Sequence, residues 1–230
     1  MSAGVGTGDT HQAAAAPPRR RERERADARF TILAAARALA REQGWDAVTM
    51  RGLAERIDYS ANFAYRYFTG RDDILLALVR DGFTQLREAL ITAAAHPTEP
   101  GGVSGSVAGT PQTAAVRRAG HAYLDFALAE RDLYQVMYGL GAVRVPTADT
   151  LQEGQAVGDV LTGLLTEAGD PRAPDHVLRL WATAHGLIAL LAVDRVDPDP
   201  DQLHRLLGAA LDDVLAALPA PREQPGEDLL

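Results

Sequence analysis

The chain has 230 residues, 47% hydrophobic and 23% charged, enough for one or two globular domains with a sizeable core. It contains no cysteine, which excludes a disulfide framework, a thiol nucleophile and a cysteine zinc site. No apolar run approaches the ~18–20 residues of a membrane span and the first thirty residues carry no signal-peptide stretch, so a cytoplasmic protein with no membrane partner is expected. All 23 basic residues are arginine and the net charge is −8. Residues 1–80 hold 13 Arg against 10 acids, and the remainder 10 Arg against 21 acids. A basic front and an acidic rear suggest two tasks on one chain, with phosphate contact confined to the front.

Residues 1–24 are small, polar and proline-interrupted before turning arginine-rich, and read as a disordered tail. From Asp27 the pattern is helical: Phe30, Leu33, Ala36 and Ala40 recur at spacings of three and four, widened by Ile32, Ala35 and Leu39. Gly44 is a helix stop, and Thr49 can cap a second helix that buries Leu53, Ala54 and Ile57. Asp58 stands where a left-handed residue commonly ends a helix. Ser60 can cap a third, short helix ending near Phe68. After Thr69-Gly70, Arg71-Asp72-Asp73 opens a long helix whose carboxylates favour its positive end, lined by Ile74, Leu75, Leu78, Phe83 and Leu86. Residues 96–111 read as a long loop. Further helices are expected over about 112–129, 131–138, 148–168, 174–193 and 201–217, with prolines in the gaps and no strand signal anywhere. The expected fold is all-α, with about nine helices: a three-helix helix-turn-helix domain over 25–71, a helical bundle over 72–217, and a frayed tail over 218–230.

A short helix, a three-residue break and a second short helix form helix-turn-helix geometry, in which only the second helix enters the major groove. Its outward face draws on Ala61, Asn62, Phe63, Arg66 and Tyr67, while Ala64 and Phe68 turn inward. Asn62 can pair bidentately with adenine and Arg66 with guanine; Ala61 and Phe63 can meet a thymine methyl. Thr49, Ser60, Tyr65 and Tyr67 offer hydroxyls to phosphates, and Arg51 and Arg71 complete the expected DNA contacts. The arginine tail can either reach a minor groove or remain solvated beside Glu22 and Glu24.

Gly44-Trp45-Asp46-Ala47-Val48-Thr49-Met50-Arg51 with Leu53-Ala54 and Ile57 resembles the approach to the second helix of TetR-family bacterial repressors. Ser60 to Phe68 is similar to that family's recognition helix and exit. Arg71-Asp72-Asp73-Ile74-Leu75 resembles the start of its fourth helix, with arginine where lysine is usual. The resemblance covers about residues 25–80. Asp58 and Asn62 depart from it, since glycine is common at both places.

In the rear, His121 and Asp125 share a helix face but nothing nearby completes a metal site. Asp197, Asp199 and Asp201 lack the glycine and late glutamate of a calcium loop. No metal, cofactor or catalytic constellation is expected. Gly186 lies inside an apolar helix, where glycine costs about 1 kcal/mol relative to alanine, so a close approach by another backbone or a ligand is expected there. Trp181-Ala182-Thr183-Ala184-His185-Gly186 resembles the tryptophan-histidine-glycine signature of one class of TetR-family C-terminal domains, and His121 to Ala127 with Asp132-Leu133-Tyr134 is similar to that class's earlier helix pair. The resemblance implies a four-helix dimer interface, for which Leu187, Leu191, Leu207, Leu211 and Val214 are the candidates. It also implies a ligand cavity beneath the fourth helix, and His121, Tyr123, Phe126, Tyr134, Met137, Tyr138, Trp181 and His185 fit such a lining. For His185, a satisfied core histidine is an equal reading.

The function expected is a homodimeric regulator, in the repressor sense, that binds a palindromic double-stranded DNA operator and is released by an apolar or aromatic small-molecule effector. Two rivals differ in kind: a DNA-binding dimer without an effector, and a helical enzyme, for which no nucleophile–base pair or phosphate-cradling loop is visible.

Overall fold

The computed structural model describes residues 18–58, 61–96, 110–140, 143–193, 195–197 and 199–219. Among them lie nine α-helices and two 3₁₀ turns, with no strand, and no helix is long and apolar enough to cross a membrane.

Helix α1 (Pro18–Gln43) begins well before the expected Asp27 and runs through the arginine-rich stretch. Proline at the first helical position lacks only an N–H that would have no partner there, and Arg20 pairs with Glu24 one turn on. Residues 18–24 are therefore helical, while 1–17 lie outside the described residues. Ile32, Ala35, Ala36, Leu39 and Ala40 face the core as expected, but Phe30 is 73% exposed: its position falls beside that stripe rather than on it. Gly44 ends the helix at φ +84°, its N–H reaching the Ala40 carbonyl at 2.8 Å.

A 3₁₀ turn (Trp45–Ala47) leads to α2 (Met50–Arg56), capped by the Thr49 hydroxyl, which accepts from the Gly52 N–H at 3.0 Å. Asp58 takes the left-handed conformation, φ +54°. Ser60, the expected cap of the next helix, lies outside the described residues. Helix α3 (Ala61–Tyr65) is a single turn that continues to Phe68 through tight backbone hydrogen bonds. Helix α4 (Arg71–Ala95) carries Asp72 and Asp73 in its first turn, and the Asp73 carboxylate accepts from the Thr69 N–H at 2.9 Å.

The rear consists of α5 (Pro111–Ala129), α6 (Arg131–Tyr138), α7 (Leu151–Glu167), α8 (Ala173–Ala192) and α9 (Pro200–Ala216), with a second 3₁₀ turn over Thr147–Asp149. Thr110 caps α5, and the Asp199 carboxylate caps α9 by accepting from the Gln202 N–H at 2.6 Å. Helix α4 is the axle of the molecule: α1, α5, α6 and α7 all pack on it. A Cβ at Gly82 would fall 2.6 Å from the Met137 sulfur, so α4 and α6 cross closely there. One continuous apolar core runs from Ile32 and Leu53 in the front to Leu203 and Val214 in the rear.

Three of the expected dimer-interface residues need correction. Leu207, Leu211 and Val214 are buried inside the subunit, because the apolar stripe of α9 seals α5: Leu211 fills the space over Gly120, where a Cβ would lie 2.9 Å from it. Leu187 and Leu191 are only partly buried.

Candidate DNA-reading surface and ligand cavity

Helices α2 and α3 pack against each other and present a solvent face built on a buried floor of Leu53, Ala64 and Phe68. Asn62 and Arg66 are exposed on that face, and Tyr65 is 53% exposed. Phe63 and Tyr67 are half-buried, their rings 5.2 Å apart, and the Arg66 guanidinium lies 5.8 Å over the Tyr67 ring. The Arg29 guanidinium stacks 4.2 Å over the Phe68 ring and donates to the Tyr67 carbonyl at 2.8 Å, fixing the end of the turn to α1. Ala61 opens α3, and Thr49 is exposed though its oxygen is engaged as a cap. Arg51 is exposed and paired with Glu55 one turn on.

Arg71 does something the sequence does not announce. Its Nε donates to the Val48 carbonyl at 2.9 Å and its Nη2 to the Trp45 carbonyl at 3.1 Å. The guanidinium thus braces the start of α4 against the turn preceding α2, and positions the reading surface rather than standing free on it. A second brace joins front to rear. Arg37 and Arg41 on α1 both reach Glu130, the residue between α5 and α6, and Arg41 lies 3.9 Å from Asp132.

Between α4, α6, α7 and α8 lies a cavity of about 580 Å³, within the range of drug-sized ligand sites. Its wall is largely apolar: Phe83, Val145, Val157, Leu161 and Val177 contribute, and the exposed Leu151, Gln155 and Arg144 mark its mouth. At the inner end Trp181, itself 41% exposed, turns its indole N–H to the buried Tyr123 and donates to that hydroxyl at 3.0 Å. That hydroxyl lies 2.7 Å from the Tyr134 hydroxyl and 3.3 Å from that of Tyr138. Tyr134 continues the chain to His185 Nδ1 at 2.9 Å. Burial drives all three phenols above their ordinary range and the His185 imidazole below its own, so the inner end is uncharged at neutral pH.

Five of the eight expected cavity residues line it: Tyr123, Met137, Tyr138, Trp181 and His185. Tyr134 has no exposed surface and stands behind the wall as the hinge of the hydrogen-bond chain. Phe126 packs half-buried against the core. His121 lies elsewhere, between α5 and α9, with its Nδ1 2.9 Å from His204 Nδ1, while His204 Nε2 lies 3.0 Å from Asp125. Burial, then the adjacent His204, lowers the His121 pKa. Among the described residues no group of three or more side chains is arranged to hold a metal ion. The wall contributed by α7 and the segment before it was missed, although Gly154 and Gly158 at a spacing of four mark one bare helix face. Nothing in the subunit lies within 4 Å of a Cβ built at Gly186, so the neighbour expected there does not come from this chain's described residues.

Residues 32–78 match the family described as bacterial regulatory proteins of the tetR family, and residues 116–214 match the tetracyclin repressor-like C-terminal domain. The second match includes Trp181, His185 and Gly186. No protein of curated function matches the chain in sequence. Among solved structures, a protein of unassigned function from Rhodococcus sp. RHA1 is similar at 27% identity and TM-score 0.66, over 83% of this chain and 95% of its own. A TetR-like transcriptional regulator from the same organism superposes at 19% identity and TM-score 0.58, over 83% and 96% of the two chains. The fatty acid degradation regulator FadR from Bacillus halodurans shares the fold at 13% identity and TM-score 0.61, over 86% and 97%. With its front matching one half of the family pattern, its rear the other, and its fold shared along more than four-fifths of its length, the chain belongs to the TetR family of DNA-binding transcriptional regulators.

Proposed function

We propose that the protein is a homodimeric, ligand-responsive regulator, acting as a repressor, that binds a palindromic operator and releases it when a small molecule fills the cavity between α4, α6, α7 and α8. Two recognition helices set about one helical turn apart, ~34–36 Å, would read successive major grooves. Asn62 and Arg66 are the base readers in this scheme, with Ala61 and Phe63 against thymine methyls. Thr49, Arg51, Tyr65 and Tyr67 contact phosphates, and Arg71 holds the reading surface in place.

The observation that carries the proposal is the reach of α4. At its start Arg71 grips the carbonyls of Val48 and Trp45; three turns on, Phe83 stands in the cavity wall. A ligand that displaces Phe83 therefore acts on the same rigid helix that orients α2 and α3. The Glu130 brace adds a parallel route, since α6 contributes Met137 and Tyr138 to the cavity and is tied at its other end to α1. The ligand need only prefer one of two states by a few kcal/mol.

For the dimer, the outward faces of α8 and α9 supply the surface. Leu178, Ala182, Gly186 and Leu190 follow one another at intervals of four residues on α8, and Leu206 stands exposed on α9. Leu187 and Leu191 flank this stripe.

The cysteine-free chain allows a direct test of the coupling. Arg80 on α4 and Glu153 on α7 form an ion pair at 2.9 Å; cysteines introduced at both positions and joined by a short bis-maleimide would fasten α4 to the bundle. Ligand binding should survive and operator release should be lost. Release that continues unchanged would refute the role of α4. A dimer without an effector would instead give no thermal shift and no operator release across a broad compound panel.

A further inference from the structure

We infer that the cavity is built for an amphiphilic organic anion, a carboxylate or similar monoanion on an aromatic or aliphatic body, with its charged group at Arg144 and its apolar body directed toward Tyr138 and His185. The inference rests on the proposal that this cavity is the effector site, and adds the chemistry of what fills it.

The charge distribution of the wall carries the argument. Among the described residues Arg144 is the one formally charged side chain lining the cavity, and no aspartate or glutamate among them lines it. Yet this is the acidic part of the chain, where 21 acids stand against 10 arginines beyond residue 80. On the helices that wall the cavity, Arg80 of α4 is paired with Glu153 and Arg179 of α8 with Asp213. Among the described residues Arg144 has no hydrogen-bond or ion-pair partner. Glu153, the acid of α7 closest in sequence to the lining residues Leu151 and Gly154, is already taken by Arg80. An unpaired guanidinium at the mouth of an apolar cavity is a fork of donors matched to a carboxylate or phosphate group.

The setting of Arg144 favours this use. Its aliphatic stem lies against the end of α6, 3.6 Å from where a Cβ at Gly139 would be, and Gly139 itself is left-handed at φ +64°. The side chain is exposed, so its head stands at the solvent boundary. An anion bound there keeps part of its hydration, which avoids the desolvation cost of a buried charge. The inner end gives the complementary constraint. Trp181, Tyr123, Tyr134 and His185 satisfy one another, and the Tyr138 oxygen accepts from Tyr123; the Tyr138 O–H and the second nitrogen of His185 are left to meet the ligand. These are neutral groups on aromatic faces, suited to a ring or chain with at most one uncharged polar group. A cationic ligand finds no carboxylate to pair with among the described residues of this wall.

Matched pairs test it. The full-length protein is titrated by calorimetry with 2-naphthylacetate against 2-naphthylacetamide, and with decanoate against decanol, in ~0.1 M salt. In at least one pair the anion should bind about five- to tenfold more tightly than its neutral partner, with an advantage that shrinks as salt rises. Arg144→Gln should bring the anion down to the neutral level and leave the neutral compound unchanged. Gly158→Phe, whose ring would enter open space in the cavity, should abolish both. Neutral compounds bound as well as the anions, or an anion preference that survives Arg144→Gln, would overturn the anion assignment while sparing the cavity as the effector site. Binding that persists in Gly158→Phe, or no binding by any of the four, would remove both. The two pairs also separate an aromatic body from an aliphatic one.

Discussion

Tyr134 exposes no surface, yet its hydroxyl stands between the Tyr123 hydroxyl and His185 Nδ1. Removing that one oxygen in Tyr134→Phe leaves both neighbours short of a partner in a buried site, so denaturant unfolding at fixed protein concentration should show a loss of about 1–3 kcal/mol. His185 sets a pH dependence. Its folded pKa lies below the ordinary imidazole value near 6.5, so the unfolded chain binds more protons than the folded one below that value. The stability is full above pH ~6.5 and declines as pH falls toward the depressed value. The thermal midpoint should therefore fall between pH 7.5 and 5.5, and less steeply in His185→Gln; His121 contributes with the same sign. On the reading face, Asn62→Ala and Arg66→Ala should each weaken operator binding by about 1–3 kcal/mol in a gel-shift titration while leaving the thermal midpoint in place, since both side chains are exposed. Residues of this kind were legible because helical spacing places them: Tyr134, Met137 and Tyr138 on one turn, Trp181 and His185 on another. Arg144 was not, for it sits in an irregular segment where periodicity says nothing about direction. Arg71 was legible as a cation beside the reading helix, but its two carbonyl partners depend on tertiary packing.

At the level of helices, chain punctuation proved the strongest signal. Thr49, Asp58 and Gly44 act through local backbone chemistry, so their effect does not wait on the rest of the fold. Helix faces were harder. The stripe of α9 identifies Leu207, Leu211 and Val214 as an apolar surface, but the sequence cannot say whether a neighbouring helix or a second subunit covers it; Gly120 opposite Leu211 decides the matter. The start of α1 was missed because its first turns carry no apolar residues and hold only through propensity and ion pairing. Two joints between elements invite tests. In the α7–α8 turn the Asp170 carboxylate accepts from His176 at 2.7 Å and from the Arg172 N–H at 2.9 Å, with both Asp170 and His176 buried. Asp170→Ala should cost about 1–3 kcal/mol in unfolding free energy. Glu130→Gln weakens the tie of α6 to Arg37 and Arg41 without touching the cavity. It should leave compound binding intact and reduce the effector's influence on operator affinity by about 0.5–2 kcal/mol, read from operator dissociation constants with and without saturating effector.

Across the whole molecule the charge is uneven, and in the proposed function it divides the labour: the arginine-rich front would meet phosphates, and the acidic rear would keep the bundle off the duplex. The proposed function adds assembly, since it sets two copies of the short α3 on one operator. Leu190→Glu places a carboxylate in the outward stripe of α8 and should weaken the proposed dimer by about 3 kcal/mol, roughly a hundredfold, seen as monomer at micromolar concentration by sedimentation. Operator binding should fall with it. The bare backbone at Gly186 then acquires a mechanical meaning. In the proposed dimer, two copies of α8 meeting there would have no side chain to interlock and could roll about the contact as on a fulcrum, so that a small roll at the centre would become a large sweep at the distant fingertips meant for the double helix.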